Sequence, residues 1–293
     1  MARQVLSNRT RRQRLIAYAS VLPIFLYHFI LIVLPTLNTL TASFTNWNGI
    51  GKKQFTGISN YIELVGDPNF ITAFGNNIKW MIVFLTLPIM LGILLGYILS
   101  GVKKGRLFFR AVYFLPYVIS AAIAGKIFAA FYNPYFGINV ALKAFQLDFI
   151  ALDWLAPKNA LFSVAFVDMW HWWGFLLVIF ISALQQIDPL LYESARVEGA
   201  SELQKIWYIT LPSIRQTIVF IVLITMVWSV STFEYVWVMT RGGPGSEILS
   251  TMLYKNAYFK YRAGYASSIA VVQMLVSFLI FAGFGALRKR MED

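Results

Sequence analysis

The sequence contains no cysteine, which excludes disulfides, thiolate metal sites and cysteine nucleophiles and leaves the redox compartment open. Charge is scarce as well. Only 13% of the 293 residues are Asp, Glu, Lys or Arg, about half of the ~25% usual in globular domains, so a water-soluble fold of this size does not fit. No Gly-x-x-x-x-Gly-Lys-Ser/Thr phosphate loop occurs, and the chain does not hydrolyse ATP by that route. A Gly-x-Ser-x-Gly element is also missing, which leaves Asp168 and His171 without a nucleophile for an intramembrane hydrolase. No internal repeat or low-complexity segment is present.

What is abundant is apolar surface, 58% of residues. A bilayer-crossing helix needs ~20 mostly apolar residues, and six runs meet this: 15–40, 80–100, 108–131, 161–184, 218–240 and 265–287. The fold class is therefore an all-α integral membrane protein with six transmembrane helices. The first run follows Arg9, Arg11, Arg12 and Arg14 but is too long for a signal peptide and lacks a cleavage site, so it reads as a retained helix. Pro23, Pro35, Pro88 and Pro116 fall inside runs and should bend them. Three regions follow: a basic segment 1–14, a membrane domain 15–287 and a tail 288–293.

The net charge of +12 does not mark a nucleic-acid binder, because the basic residues flank apolar runs and form no stripe. With the N-terminus inside, fifteen Lys and Arg fall on inner segments, among them Lys103, Lys104, Arg106 and Arg288-Lys289-Arg290, and eight on outer loops. That bias places both termini in the cytoplasm of a multi-pass protein. The outer loops are long, with a short helix expected over 58–65.

The inner segment 185–217 is longer than bundle connections usually are. Pro189 suits a first helical turn, Gly199 a turn between helices, and Ser201 with Glu202 the start of a second helix that Pro212 helps to end. Its Glu193-Ser194-Ala195, three residues, Gly199, nine residues, Ile209-Thr210-Leu211-Pro212 resembles the EAA signature of bacterial ABC importer permeases, departing from it only at Ser194, where the signature has Ala. Ser43-Phe44-Thr45-Asn46-Trp47, Phe55-Thr56-Gly57-Ile58-Ser59-Asn60-Tyr61, Phe114-Leu115-Pro116 and Met239-Thr240-Arg241-Gly242-Gly243-Pro244-Gly245 look like the carbohydrate-uptake branch. Within it they are similar to the maltose and glycerol-phosphate type of first permease subunit. The resemblance implies a type I importer fold in the inner membrane, a second homologous permease, two copies of a cytoplasmic ATPase that bind the ATP and magnesium, an extracytoplasmic substrate-binding protein, and no cofactor in this chain. It implies that Tyr192, Glu193, Ser194, Ala195, Arg196, Glu198, Gly199 and Ala200 couple to the ATPase. The mixed apolar and acidic face of this segment suits a protein groove better than lipid headgroups.

Ionisable groups inside apolar runs mark function, because each is costly in lipid. Lys126, Asp168, His171 and Glu234 are such groups, and with Trp172 and Trp237 they make a candidate substrate pathway in which carboxylates accept from sugar hydroxyls and aromatic rings stack on sugar faces. Asp168, His171, Trp172 and Phe175 share one helical face, and Val230, Glu234 and Trp237 another. Packing roles compete: Lys126 could neutralise Asp168 or Glu234, and Asp168 could hold His171. The other functional class is a secondary transporter or channel using these charges as ion sites. Uptake by this chain alone under an ion gradient would distinguish it.

Overall fold

The computed structural model describes residues 2–102 and 104–292. Lys103, counted among the inner cations, lies outside the described residues, as do Met1 and Asp293, and so do the side chains of Arg106, of the five N-terminal arginines and of Arg288, Lys289 and Arg290. The described residues form α-helices joined by turns, with no strand among them: α1 Ala2–His28, α2 Leu34–Ala42, α3 Ser59–Gly66, α4 Pro68–Gly101, α5 Arg106–Val118, α6 Ala121–Phe131, α7 Ile138–Ala144, α8 Ala160–Leu184, α9 Pro189–Val197, α10 Glu202–Lys205, α11 Leu211–Ser213, α12 Arg215–Ser231, α13 Glu234–Thr240, α14 Leu249–Tyr258 and α15 Ala263–Glu292.

Two compact units divide the chain. One comprises Met1–Leu64 and Asn256–Val271. In it a π-turn over Phe29–Val33 joins α1 to α2, where Pro35 cannot donate to the preceding turn. Asn60 at the start of α3 donates to the carbonyls of Ser43 and Thr45 at 2.8 and 2.9 Å, and Arg262 pairs with Glu63 at 2.7 Å. The expected short helix over 58–65 is thus present as α3.

The second unit, Val65–Lys255 with Val272–Asp293, holds the larger core. Here α8 packs on α4 and α5, with Phe84, Val164, Leu176, Phe180 and Ile181 fully buried. Small residues allow close helix approach: a Cβ on Gly92 would lie 2.9 Å from the Phe180 ring, and one on Gly174 would lie 2.2 Å from the Tyr113 carbonyl oxygen. The second contact is with backbone and cannot be relieved by a rotamer change. Gly174→Ala should therefore cost at least the ~1–3 kcal/mol of core overpacking, read as a lower thermal midpoint of the purified protein in detergent; an unchanged midpoint would oppose this packing.

Four helical segments are long and apolar enough to cross a membrane, Ile16–Ala42, Pro68–Gly101, Ala160–Leu184 and Ala263–Ala286, and two bent pairs raise the total to six. The second pair is Glu202–Ser213 with Arg215–Ser231, bent by 73°. Two breaks correct two expectations. The third run, expected as one bent span over 108–131, turns by 90° between Leu107–Val118 and Ala121–Phe131. Ile119 and Ser120 are extended there, and Ser120 caps α6 by accepting from the Ile123 amide. The fifth run, expected continuous over 218–240, stops at Ser231 and restarts at Glu234. Its freed carbonyls are taken up by side chains: Asn77 donates to Ser229 at 2.9 Å and Gln273 to Val230 at 2.7 Å. Broken helices persist at membrane depth only where such partners or a cavity meet the open backbone.

Candidate functional site

Both breaks meet α8 around one cavity of about 380 Å³. Asp168, His171 and Trp172 enter it from one face of α8, Tyr117 and Ala121 from the two sides of the α5–α6 break, Trp228 and Ser231 from the end of α12, and Phe233, Glu234 and Tyr235 from the restart at α13. Asp168 lies eight residues into α8, about 12 Å along its axis at ~1.5 Å per residue. It is 1% exposed, and neither carboxylate oxygen has a hydrogen-bond partner among the described residues. The buried Tyr235 hydroxyl and Trp172 Nε1 are also unpartnered. Unpaired polar groups in a dry interior are costly, so this cluster fits a polar guest or water.

The cavity wall is aromatic. Trp172 stacks on Trp228 at 5.2 Å between centroids, Tyr117 lies 5.3 Å from the His171 ring and 6.2 Å from Trp172, and His171 meets Tyr235 edge-on at 5.8 Å. His171 Nε2 donates to the Ile119 carbonyl at 2.9 Å, satisfying an acceptor released where α5 ends.

A second feature is the helix pair at 189–213. Asp188 caps α9 by accepting from the Leu190 amide at 2.9 Å, with Pro189 at the first helical position. The helix ends at Gly199, whose φ is +79°. There the Ala200 amide donates to Ala195 at 2.9 Å and the Gly199 amide to Arg196 at 3.2 Å, the paired bonds of a Schellman end. Ser201 and Gln204 form a capping box that starts α10. The pair is tied inward: Tyr192 Oη is 2.9 Å from Thr210 Oγ1, and Glu202 accepts from Tyr97 of α4 at 2.6 Å and from Lys205 at 2.7 Å. The bonds from Lys205 and Tyr97 hold the Glu202 carboxyl below its ordinary pKa. Glu193, Ser194, Arg196 and Glu198 are exposed, as are the apolar Val197 and Leu203.

Over residues 88–293 the sequence matches the family described as binding-protein-dependent transport system inner membrane component. The chain belongs to that family. It is an ABC importer permease, a multi-pass inner-membrane subunit that leaves ATP hydrolysis to partner ATPases. The permease is 34% identical over 273 residues to a probable ABC transporter permease, YurN of Bacillus subtilis, covering 91% of this chain and 93% of that one. It is 29% identical to the multiple sugar-binding transport system permease MsmF of Streptococcus mutans, over 80% and 81% of the two chains. Among solved structures it superposes on a chain of a bacterial ABC transporter involved in the import of the acidic polysaccharide alginate, with a TM-score of 0.86, 25% identity and 98% and 99% coverage. The all-helical type I importer fold expected from the sequence is therefore the fold of this permease.

Of the pathway residues expected in the permease, Asp168, His171, Trp172 and Glu234 line the cavity together. Trp237 instead packs on Phe233 at 5.7 Å and Tyr254 at 4.6 Å; Glu234 and Trp237 both lie on α13, while Val230 lies on α12, because the break at Thr232 and Phe233 interrupts the expected common helix. Lys126 is exposed on α6, outside the cavity lining, and makes no ion pair with Asp168 or Glu234 among the described residues. Nor does Asp168 hold His171, which bonds to Ile119. Sequence reasoning missed Tyr117, Trp228 and Ser231 and left Tyr235, an aromatic it noted beside Glu234, out of the pathway; all four come from helix ends that a continuous-helix reading aims elsewhere. Pro116 was the available signal for the first break.

Proposed function

We propose that the permease imports a sugar or sugar derivative and that the cavity around Asp168 and Glu234 is its half of the translocation path. The supporting observation is the buried Asp168 carboxylate, unpartnered and set against aromatic walls, the pairing of acceptor and ring that carbohydrate needs; relatives named for multiple sugars and for arabinooligosaccharides lean the same way. The channel or secondary-transporter reading gives way to the family assignment. In this reading the permease pairs with a second homologous permease, α9 and α10 dock on one of two ATPase copies, an extracytoplasmic binding protein delivers the sugar, and no cofactor resides in the chain. The fifteen-to-eight charge count supports a cytoplasmic location for both termini and the 185–217 loop.

The test uses the assembled complex in proteoliposomes and whichever sugar a thermal-shift screen finds on the cognate binding protein. Asp168→Asn and Glu234→Gln should each lower ATP-driven uptake by about tenfold or more, the effect of losing a hydrogen bond to a charged group, with subunit assembly intact. Wild-type uptake by both variants would show that the path lies elsewhere.

A further inference from the structure

The cavity is lined by acids without basic partners. Its lining includes two carboxylates, Asp168 and Glu234, and no Lys or Arg. The cation nearest in sequence to the α5–α6 break, Lys126, is exposed and outside the lining. Independent of the acid pair, the Tyr235 hydroxyl, on a residue 3% exposed, and the Trp172 indole N–H border the cavity with no partner among the described residues. The hydrogen-bonding capacity left open thus combines the Asp168 acceptors with the Trp172 and Tyr235 donors, backed by the faces of Tyr117, Trp172 and Trp228.

We propose that this cavity passes uncharged, hydroxyl-rich sugar rings and turns away rings that bear a carboxylate or phosphate. The inference rests on the reading of the cavity as the sugar path. An uncharged ring offers hydroxyl donors to Asp168 and Glu234 and its C–H face to the aromatic wall. A uronate replaces one donating hydroxymethyl with a carboxylate beside Asp168 and Glu234, with no Lys or Arg in the lining to pair with it, and an anion set beside acids without a counter-charge is disfavoured. Selection then comes from repulsion of the wrong guest as much as from attraction of the right one.

The complex of both permeases and both ATPases is placed in lipid nanodiscs without binding protein, so that the membrane cavity alone is read. Quenching of tryptophan fluorescence is titrated with maltotriose, cellotriose and α-1,4-galactotriose and with their C6-oxidised triuronates. At least one neutral trisaccharide should bind saturably, with its triuronate about thirtyfold weaker. In the Asp168→Asn, Glu234→Gln double variant that ratio should fall to within about threefold, because the repulsion is gone. A triuronate that binds as tightly as its neutral counterpart, or a ratio unchanged in the double variant, overturns the charge selectivity while leaving the cavity a sugar site. Saturable binding by none of the six overturns the sugar-path reading itself, and the selectivity with it.

Discussion

A Gly199→Leu, Glu193→Arg double variant is expected to lose both binding-protein-stimulated ATP hydrolysis and uptake, by about tenfold or more, while the membrane helices stay folded. Movement of a cytoplasmic ATPase reaches the membrane only through contacts, and those contacts transmit displacement only if they are stiff. The α9–α10 junction is built for stiffness: a Schellman end, a capping box, and ties from Tyr192 to Thr210 and from Glu202 to Tyr97 of α4. Gly199 holds the left-handed conformation, φ +79°, and a Cβ there would meet nothing within 4 Å. Its requirement is conformational and not one of space, so leucine costs about 1–2 kcal/mol and loosens the turn without displacing a neighbour. Glu193 is exposed and makes no ion pair among the described residues, so reversing its charge perturbs docking and not the fold. The measurement is ATPase activity of the reconstituted complex with and without loaded binding protein, beside a pull-down of the ATPase. Full stimulation would show that this pair does not couple.

The loop was legible because its determinants are local. Pro189, Gly199 and Ser201 each impose a cap or a turn through their own backbone chemistry, and the structure places those features at the same residues. Likewise the apolar runs mark the spans by composition alone. The cavity was only half legible. Asp168, His171 and Trp172 share the face of an unbroken helix, so helical spacing finds them, whereas Tyr117, Trp228 and Tyr235 depend on two breaks. The break before α13 is held by tertiary bonds from Asn77 and Gln273, and the one after α5 is met by His171 at the Ile119 carbonyl, all distant in sequence and silent in any local pattern.

Those two side chains carry the second large effect. Asn77 donates to the Ser229 carbonyl and accepts from the Leu249 amide, both at 2.9 Å, while Gln273 donates to the Val230 carbonyl at 2.7 Å and to Ser250 Oγ at 2.9 Å. They hold the end of α12 open just before Thr232, and so fix where α13 restarts and where Glu234 and Tyr235 enter the cavity. An Asn77→Leu, Gln273→Leu variant leaves two carbonyls and one amide of a buried segment without these partners, at about 1–3 kcal/mol each. The cheaper state for the chain is to re-form helix across 231–234, which swings Glu234 out of the cavity. Uptake should therefore fall by about a hundredfold, more than with Glu234→Gln alone, because the whole α13 side of the cavity moves. Folding loss is separated from repositioning by a cysteine placed at Ser231 in this cysteine-free chain, with its alkylation rate measured in the assembled complex. The clamp account requires that rate to change while the complex still assembles. An unchanged rate alongside normal uptake would mean that the break is held by something other than Asn77 and Gln273.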